Sequence, residues 1–246
     1  MFDLPTGVSE AVLAGLLAAS FVSSFITVAF GIGGGAVLLA VLATLMPPAA
    51  LIPVHGVVQL GSNATRGAMP LRYVSWRALP GFAVGSVIGV ATGGVLVVDL
   101  PPAFIQVGVG LFIVWSVLAR PPAWLRRWPP LTGAVSSFLT MFFGATGTFV
   151  ATYVKSLGLE RHGHVATHAA LMTMQHLLKV LTFGLLGFAF GPWLIVIAGM
   201  IVAGAAGTLA GRLLLTRLSD RIFRRALDIV LLLIALRLIW AGVSAL

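Results

Sequence analysis

Ten apolar segments run along the chain, separated by short breaks that are rich in Gly, Pro or Arg. Most of them are long enough to cross the roughly 30 Å of bilayer hydrocarbon as an α-helix. The pattern therefore predicts an all-α, polytopic integral membrane protein. The predicted segments are Val8–Phe30, Ala36–Met46, Ala49–Ala68, Ala78–Val98, Ala103–Leu118, Leu131–Phe143, Phe149–Leu157, Val165–Phe183, Trp193–Leu215 and Ile222–Trp240.

Two of the ten segments, Ala36–Met46 and Phe149–Leu157, are too short to cross a bilayer. Each follows a Gly-rich break, residues 31–35 in the first half of the chain and residues 144–147 in the second. A short apolar segment after such a break is typical of the interrupted helices of secondary transporters. We therefore expect one discontinuous or re-entrant helix in each half.

The two halves of the chain carry copies of one sequence pattern. Residues 22–31 (VSSFITVAFG) match residues 135–144 (VSSFLTMFFG) at an offset of 113 (135 − 22). A match of this length predicts a duplicated unit. We expect repeat 1 in residues 1–119, a cytoplasmic linker in residues 120–130 and repeat 2 in residues 131–246. The same offset, without a gap, pairs Gly34 with Gly147, His55 with His168, Asn63 with His176 and Arg66 with Lys179.

The charges of the loops predict how the two repeats are oriented. Basic loops stay in the cytoplasm, so the loop from Arg66 to Arg77 and the linker should lie inside. The next loop of repeat 1 holds only Asp99, whereas its counterpart in repeat 2 holds five arginines between Arg212 and Arg225. Equivalent loops on opposite sides indicate inverted repeats, with both chain termini outside. Five crossings in each half satisfy this arrangement, and so do three crossings plus a re-entrant hairpin.

The third segment of each half carries a stripe of polar residues on one helical face. An unpaired polar group in hydrocarbon costs several kcal/mol, so each stripe must face another helix or a water-filled cavity. We expect the two stripes to line one central pathway, although hydrogen bonds between helices would also satisfy them. The stripes are His55, Gln59, Asn63 and Arg66 in repeat 1, and His168, Met172, Gln175, His176 and Lys179 in repeat 2.

The two Gly-rich breaks are the second candidate part of a binding site. Glycine lets other groups approach the backbone closely, and the short helix after each break begins with free N–H groups that suit an anion. Hydroxyl groups just before or within each break add further donors. Tight helix crossing is the alternative explanation. The candidate ligand residues here are Thr27, Gly33, Gly34, Gly35, Thr140, Gly147 and Thr148.

Composition supports the membrane assignment and favours an anion as substrate. The chain is 59% hydrophobic and 9% charged, against about 25% charged residues in soluble domains. Its net charge of +9 lies mainly in short loops, which argues for membrane topology rather than nucleic-acid binding. No acidic residue falls in the polar stripes or the Gly-rich breaks, and we expect Asp228 to pair with Arg224 one turn away. A cation pathway normally supplies carboxylates, so the charges favour a small anion.

Other classes of function find weaker support in the chain. No arrangement of nucleophile, base and acid indicates an enzyme, and no cofactor or metal site is predicted. His162 and His164 are too weak a signal for a metal site. An anion channel, a cation or metal transporter that uses His and backbone carbonyls, and a non-transporting scaffold remain open. A coupling proton on His55 or His168 is a further option.

The chain resembles the TauE/SafE family of sulfite and organosulfonate exporters. The resemblance rests on the break Gly31-Ile32-Gly33-Gly34-Gly35, on residues 72–77 (RYVSWR) and on a fourth segment rich in Gly. It departs from the family at Ala40, near which the family often has Pro, and in the second break, which reads GATGT instead of a Gly triplet. The resemblance implies transport of sulfite, sulfonates or related small anions, with Gly33, Gly34 and Gly35 at the binding site.

Overall fold

The computed structural model describes residues 4–30, 33–66, 71–97, 100–119, 121–122, 127–214 and 220–246. These residues form ten α-helices, which confirms the all-α prediction. Every predicted apolar segment corresponds to one helix, with ends that differ by at most four residues. The helices are α1 (Glu10–Phe30), α2 (Gly34–Leu45), α3 (Pro48–Arg66), α4 (Leu79–Val97), α5 (Pro102–Leu118), α6 (Pro129–Phe143), α7 (Gly147–Ser156), α8 (Arg161–Leu185), α9 (Leu194–Leu214) and α10 (Asp220–Val243).

The two short helices begin where the sequence predicted breaks. Helix α2 has 12 residues and α7 has 10, so they are about 18 Å and 15 Å long and cannot cross a bilayer. Gly33 precedes α2 with φ of 106°, and Gly144 ends α6 with φ of 73°. Residues with a side chain rarely adopt a positive φ of this size, so glycine permits both changes of direction.

Helices from the two halves of the chain pack against each other in pairs. Helix α1 packs on α9 and α4 packs on α6, while α3 packs on α8 and α5 on α10. The contacts give the directions. Successive residues of α1, from Leu17 to Phe25, meet successive residues of α9, from Gly199 to Gly211, so this pair runs parallel.

Two of the other three pairs have equally clear directions. Helix α4 runs parallel to α6, since Gly85 lies against Pro130 and Gly93 against Met141. Helix α5 runs antiparallel to α10, since Gly242 lies against Ala103 and Val107 while Gly110 lies against Ala235 and Ile239. In the α3–α8 pair, Gly56 in the middle of α3 lies against Lys179 of α8.

Glycine allows these helices to approach closely. A Cβ atom on Gly89 of α4 would collide with the carbonyl oxygen of Ala134 on α6, and one on Gly207 of α9 would collide with that of Phe21 on α1. Small residues at helix crossings are typical of membrane proteins, where tight packing replaces the hydrophobic effect.

The outer surface is apolar, and several polar side chains are buried within an otherwise apolar interior. Large apolar side chains such as Val95, Leu185 and Val202 are exposed, while His55, Gln175 and Lys179 are fully buried. Within the described ranges, three helical spans are long and apolar enough to cross a membrane: Glu10–Val28, Trp76–Val97 and Gly191–Leu213. An apolar exterior around polar interior groups is what a lipid environment requires.

Candidate functional site

A cavity of about 260 Å³ lies between the two Gly-rich breaks. Both breaks contribute to its wall, together with polar side chains of the paired helices α3 and α8 and residues of α1, α5 and α10. The lining residues are Thr27, Gly33, Gly35, Ala36, Gln59, Asn63, Ser116, Val117, Gly144, Ala145, Gly147, Thr148, His168, Met172, Leu227, Asp228 and Leu231.

The first turns of α2 and α7 face this cavity. Gly33 and Gly35 line it at the start of α2, and Gly147 and Thr148 line it at the start of α7. The first N–H groups of a helix have no partner within the helix and carry the positive end of its dipole. The cavity is therefore bounded on two sides by groups that favour negative charge.

At Gly34, the break before α2 is packed too tightly for any other residue. A Cβ atom on Gly34 would collide with the Ser23 carbonyl and the Thr27 hydroxyl, and one on Gly35 would lie 2.7 Å from Nε2 of Gln59. The Thr27 hydroxyl donates to the Ser23 carbonyl at 2.9 Å, which keeps it against α1. Gly34 thus positions the start of α2 without lining the cavity itself.

Each break is also contacted by a histidine of the neighbouring polar stripe. Nε2 of His55 lies 3.4 Å from the carbonyl oxygen of Gly35, and Nε2 of His168 lies 3.3 Å from that of Gly147. His168 lines the cavity, whereas His55 is fully buried behind its wall. The two histidines therefore make similar backbone contacts but differ in their access to the cavity.

Amide and hydroxyl groups form the rest of the polar lining. Asn63 and Gln59 both line the cavity, and Nδ2 of Asn63 donates to the Gln59 carbonyl at 2.7 Å. The Thr148 hydroxyl has no hydrogen-bond partner among the described residues, although its oxygen is buried. Such a donor meets its hydrogen-bonding need when a ligand or water occupies the adjacent space.

Two predicted ligand residues instead brace the second break. The Gln175 amide donates to the Ser136 carbonyl at 3.0 Å and to the Thr146 hydroxyl at 2.8 Å. The Thr140 hydroxyl donates to the Gly144 carbonyl at 3.1 Å. Neither Gln175 nor Thr140 lines the cavity. Gln175 ties α8 to α6 and to the start of α7, and Thr140 fixes the turn at the end of α6.

His55, His176 and Lys179 form a buried basic cluster between α3 and α8. All three side chains are fully buried, and the rings of His55 and His176 stand 6.2 Å apart at an interplanar angle of 69°. None of the three lines the cavity. Arg66 ends α3, and its side chain lies outside the described part of the structure.

Asp228 is a lining residue that the sequence did not indicate. It belongs to neither a polar stripe nor a Gly-rich break, yet on α10 it lines the cavity beside Leu227 and Leu231. Its predicted pairing with Arg224 falls on a side chain outside the described residues. An acidic residue within an apolar segment is itself a functional signal. The approach of α10 to the breaks is a tertiary contact that no local pattern indicates.

Comparison with known families gives one match. A family model described as "Sulfite exporter TauE/SafE" matches residues 16–238, which is nearly the whole chain. No curated protein and no solved structure matches the chain significantly.

Proposed function

The chain belongs to the sulfite exporter TauE/SafE family, and from that premise we propose that it moves sulfite, an organosulfonate or a related small anion across the cytoplasmic membrane by alternating access. Members of this family are membrane transporters and not enzymes. The family itself implies a small anionic substrate. The identity of the anion and the mechanism of transport are the parts that we propose.

The observation that carries the proposal is the position of the cavity between two helix N-termini. Unpaired N–H groups at the starts of α2 and α7 would bind the oxygen atoms of an oxyanion. Asn63, Thr148 and His168 would add side-chain hydrogen bonds. A volume of about 260 Å³ is enough for an ion of the size of sulfite or a small sulfonate.

The directions of the paired helices support two inverted repeats. In the predicted duplication, α5 corresponds to α10, and this pair runs antiparallel. Helix α1 corresponds to α6 and α4 to α9. If each helix is replaced by its counterpart in the other half, α1 becomes α6 and α9 becomes α4. The parallel pair α1–α9 then becomes the pair α6–α4, which is also parallel. This is the arrangement expected around a pseudo-two-fold axis in the membrane plane.

Inverted repeats that meet at one site suit a carrier. The two halves would rock against each other around the anion, so that the cavity opens to one side at a time. An anion channel is the alternative, and it would conduct without saturation or exchange. Counter-transport that speeds up flux when anion is present on both sides would support the carrier.

A flux assay in liposomes tests the proposal. Purified protein should carry labelled sulfite or methanesulfonate with saturable kinetics. Thr148→Val removes a hydroxyl from the cavity wall, so we expect several-fold slower flux. Thr92→Val is the matched control, because Thr92 is exposed on the outer surface of α4 and bonds only its own helix, to Ile88 and Gly89. Equal loss in both variants, or no anion flux in the unaltered protein, would contradict the proposal.

A further inference from the structure

The amine of Lys179 is fully buried, with no counter-charge beside it among the described residues. Its side chain is completely inaccessible, and Nζ has no hydrogen-bond partner among the described residues. A charged ammonium in such a place costs several kcal/mol unless an anion or a set of acceptors compensates it. Its charge state therefore depends on any negative charge that arrives nearby.

The neighbours of Lys179 are basic or neutral. Gly56 on α3 makes room for its side chain, since a Cβ atom there would lie 2.9 Å from Cε of Lys179. Helices α4 and α6 contain no titratable residue, and the Tyr153 hydroxyl on α7 bonds the Ala78 carbonyl. The other titratable groups of the packed helices are His55 and Arg66 on α3, Lys155 on α7, and Arg161, His162, His164, His168 and His176 on α8.

His55 connects the buried cluster to the cavity. Its ring stands 6.2 Å from that of His176, one turn before Lys179 on α8. Its Nε2 faces Gly35, and its Nδ1 would lie 2.8 Å from a Cβ atom on Gly144. Both glycines line the cavity, and Gly56, the residue after His55, lies against Cε of Lys179, so this part of α3 connects the surroundings of Lys179 to the cavity wall. The charge of an anion in the cavity would act on Lys179 through an interior of low dielectric, where charges interact strongly.

We propose that Lys179 is the coupling site of the transporter: it takes up a proton when the anion enters the cavity and releases it when the anion leaves. This inference rests on the proposed function. The step is one reversible transfer, in which the neutral Nζ amine accepts a proton from water to become an ammonium ion. No bond in the substrate is made or broken. Lys179 thus acts at a distance and does not contact the anion.

Proton uptake on binding tests this proposal directly. Purified full-length protein is mixed with sulfite in weakly buffered, mildly alkaline solution, where sulfite is almost wholly the dianion, and a pH indicator dye records the change. We expect uptake of about one proton per bound anion. Lys179→Met should bind sulfite with little uptake. Lys155→Met should behave like the unaltered protein, because Lys155 is exposed and is the only other lysine.

A second measurement needs no variant of Lys179. In protein labelled with 13C-lysine, only two ε-carbon signals are expected, and Lys155→Met assigns them. Sulfite should move the Lys179 signal towards the charged form and leave the Lys155 signal in place. Sulfite binding without a shift of the Lys179 signal would overturn the coupling proposal alone, as would full proton uptake by Lys179→Met. Absence of sulfite binding in the unaltered protein would overturn the proposed function as well.

Discussion

Gln59 and Gln175 lie on the paired helices α3 and α8, yet their amide groups have different surroundings. Gln59 lines the cavity, whereas Gln175 is fully buried and donates two hydrogen bonds that brace the second break. A polar stripe indicates that both residues avoid lipid, but not which of them meets the ligand. That distinction depends on depth in the bundle and on the helix opposite, neither of which the spacing of the stripe contains.

The same substitution at these two positions should therefore have different effects. Gln175→Leu leaves the Ser136 carbonyl and the Thr146 hydroxyl without their donor, which should destabilise the protein by about 1–3 kcal/mol. Gln59→Leu should leave thermal stability nearly unchanged and slow the flux. Thermal unfolding in detergent and liposome flux measure the two effects. Equal stability of the two variants would show that Gln175 does not brace the break.

Asp228 distinguishes an anion carrier from a cation carrier. Its carboxylate lines the cavity and opposes an anion, although its exposure to water weakens that repulsion. Asp228→Asn should thus tighten anion binding and lower the KM for sulfite by a few-fold. A cation transporter would instead lose its compensating charge and its activity. Loss of flux for every anion in Asp228→Asn would argue against the sign that we assign to the substrate.

At the scale of elements, apolar segments and breaks predicted the helices with little error. The largest difference is at the start of α8, which begins at Arg161 rather than at Val165. Its first turn is polar and lies outside the apolar segment, so hydropathy does not include it. The sequence did not predict which helix packs against which. The pairing of α4 with α6 depends on which Gly-bearing faces meet, and several helices carry such faces.

The α4–α6 contact leaves no room for even one methyl group. A Cβ atom on Gly89 would collide with the Ala134 carbonyl and lie 2.8 Å from the Phe138 nitrogen, so Gly89→Ala must push the two helices apart. We expect a loss of stability of about 1–3 kcal/mol. Gly191→Ala is the control, because nothing lies within 4 Å of a Cβ atom at Gly191. Thermal unfolding of both variants in detergent provides the comparison.

At the scale of the whole molecule, the charges of the loops predict an orientation that the helix contacts alone do not fix. The chain has no cysteine, so single cysteines can report it directly. Ser9→Cys and Ser244→Cys, near the two termini, should react with a membrane-impermeant maleimide applied to intact cells. Leu71→Cys, in the predicted cytoplasmic loop, should react only after lysis. Labelling of Leu71→Cys in intact cells would invert the predicted topology.

The pairing of helices across the two halves also bears on how such a protein could have originated. The main neighbour of α1 is α9 and that of α4 is α6. The first and fourth helices of each half therefore pack against helices of the other half. If the two halves are the inverted repeats proposed above, a single ancestral unit would have found the same neighbours in a second copy inserted in the opposite orientation. Fusion of the two genes would then have made the opposed insertion permanent and let each copy specialise, in line with the differing access of His55 and His168 to the cavity.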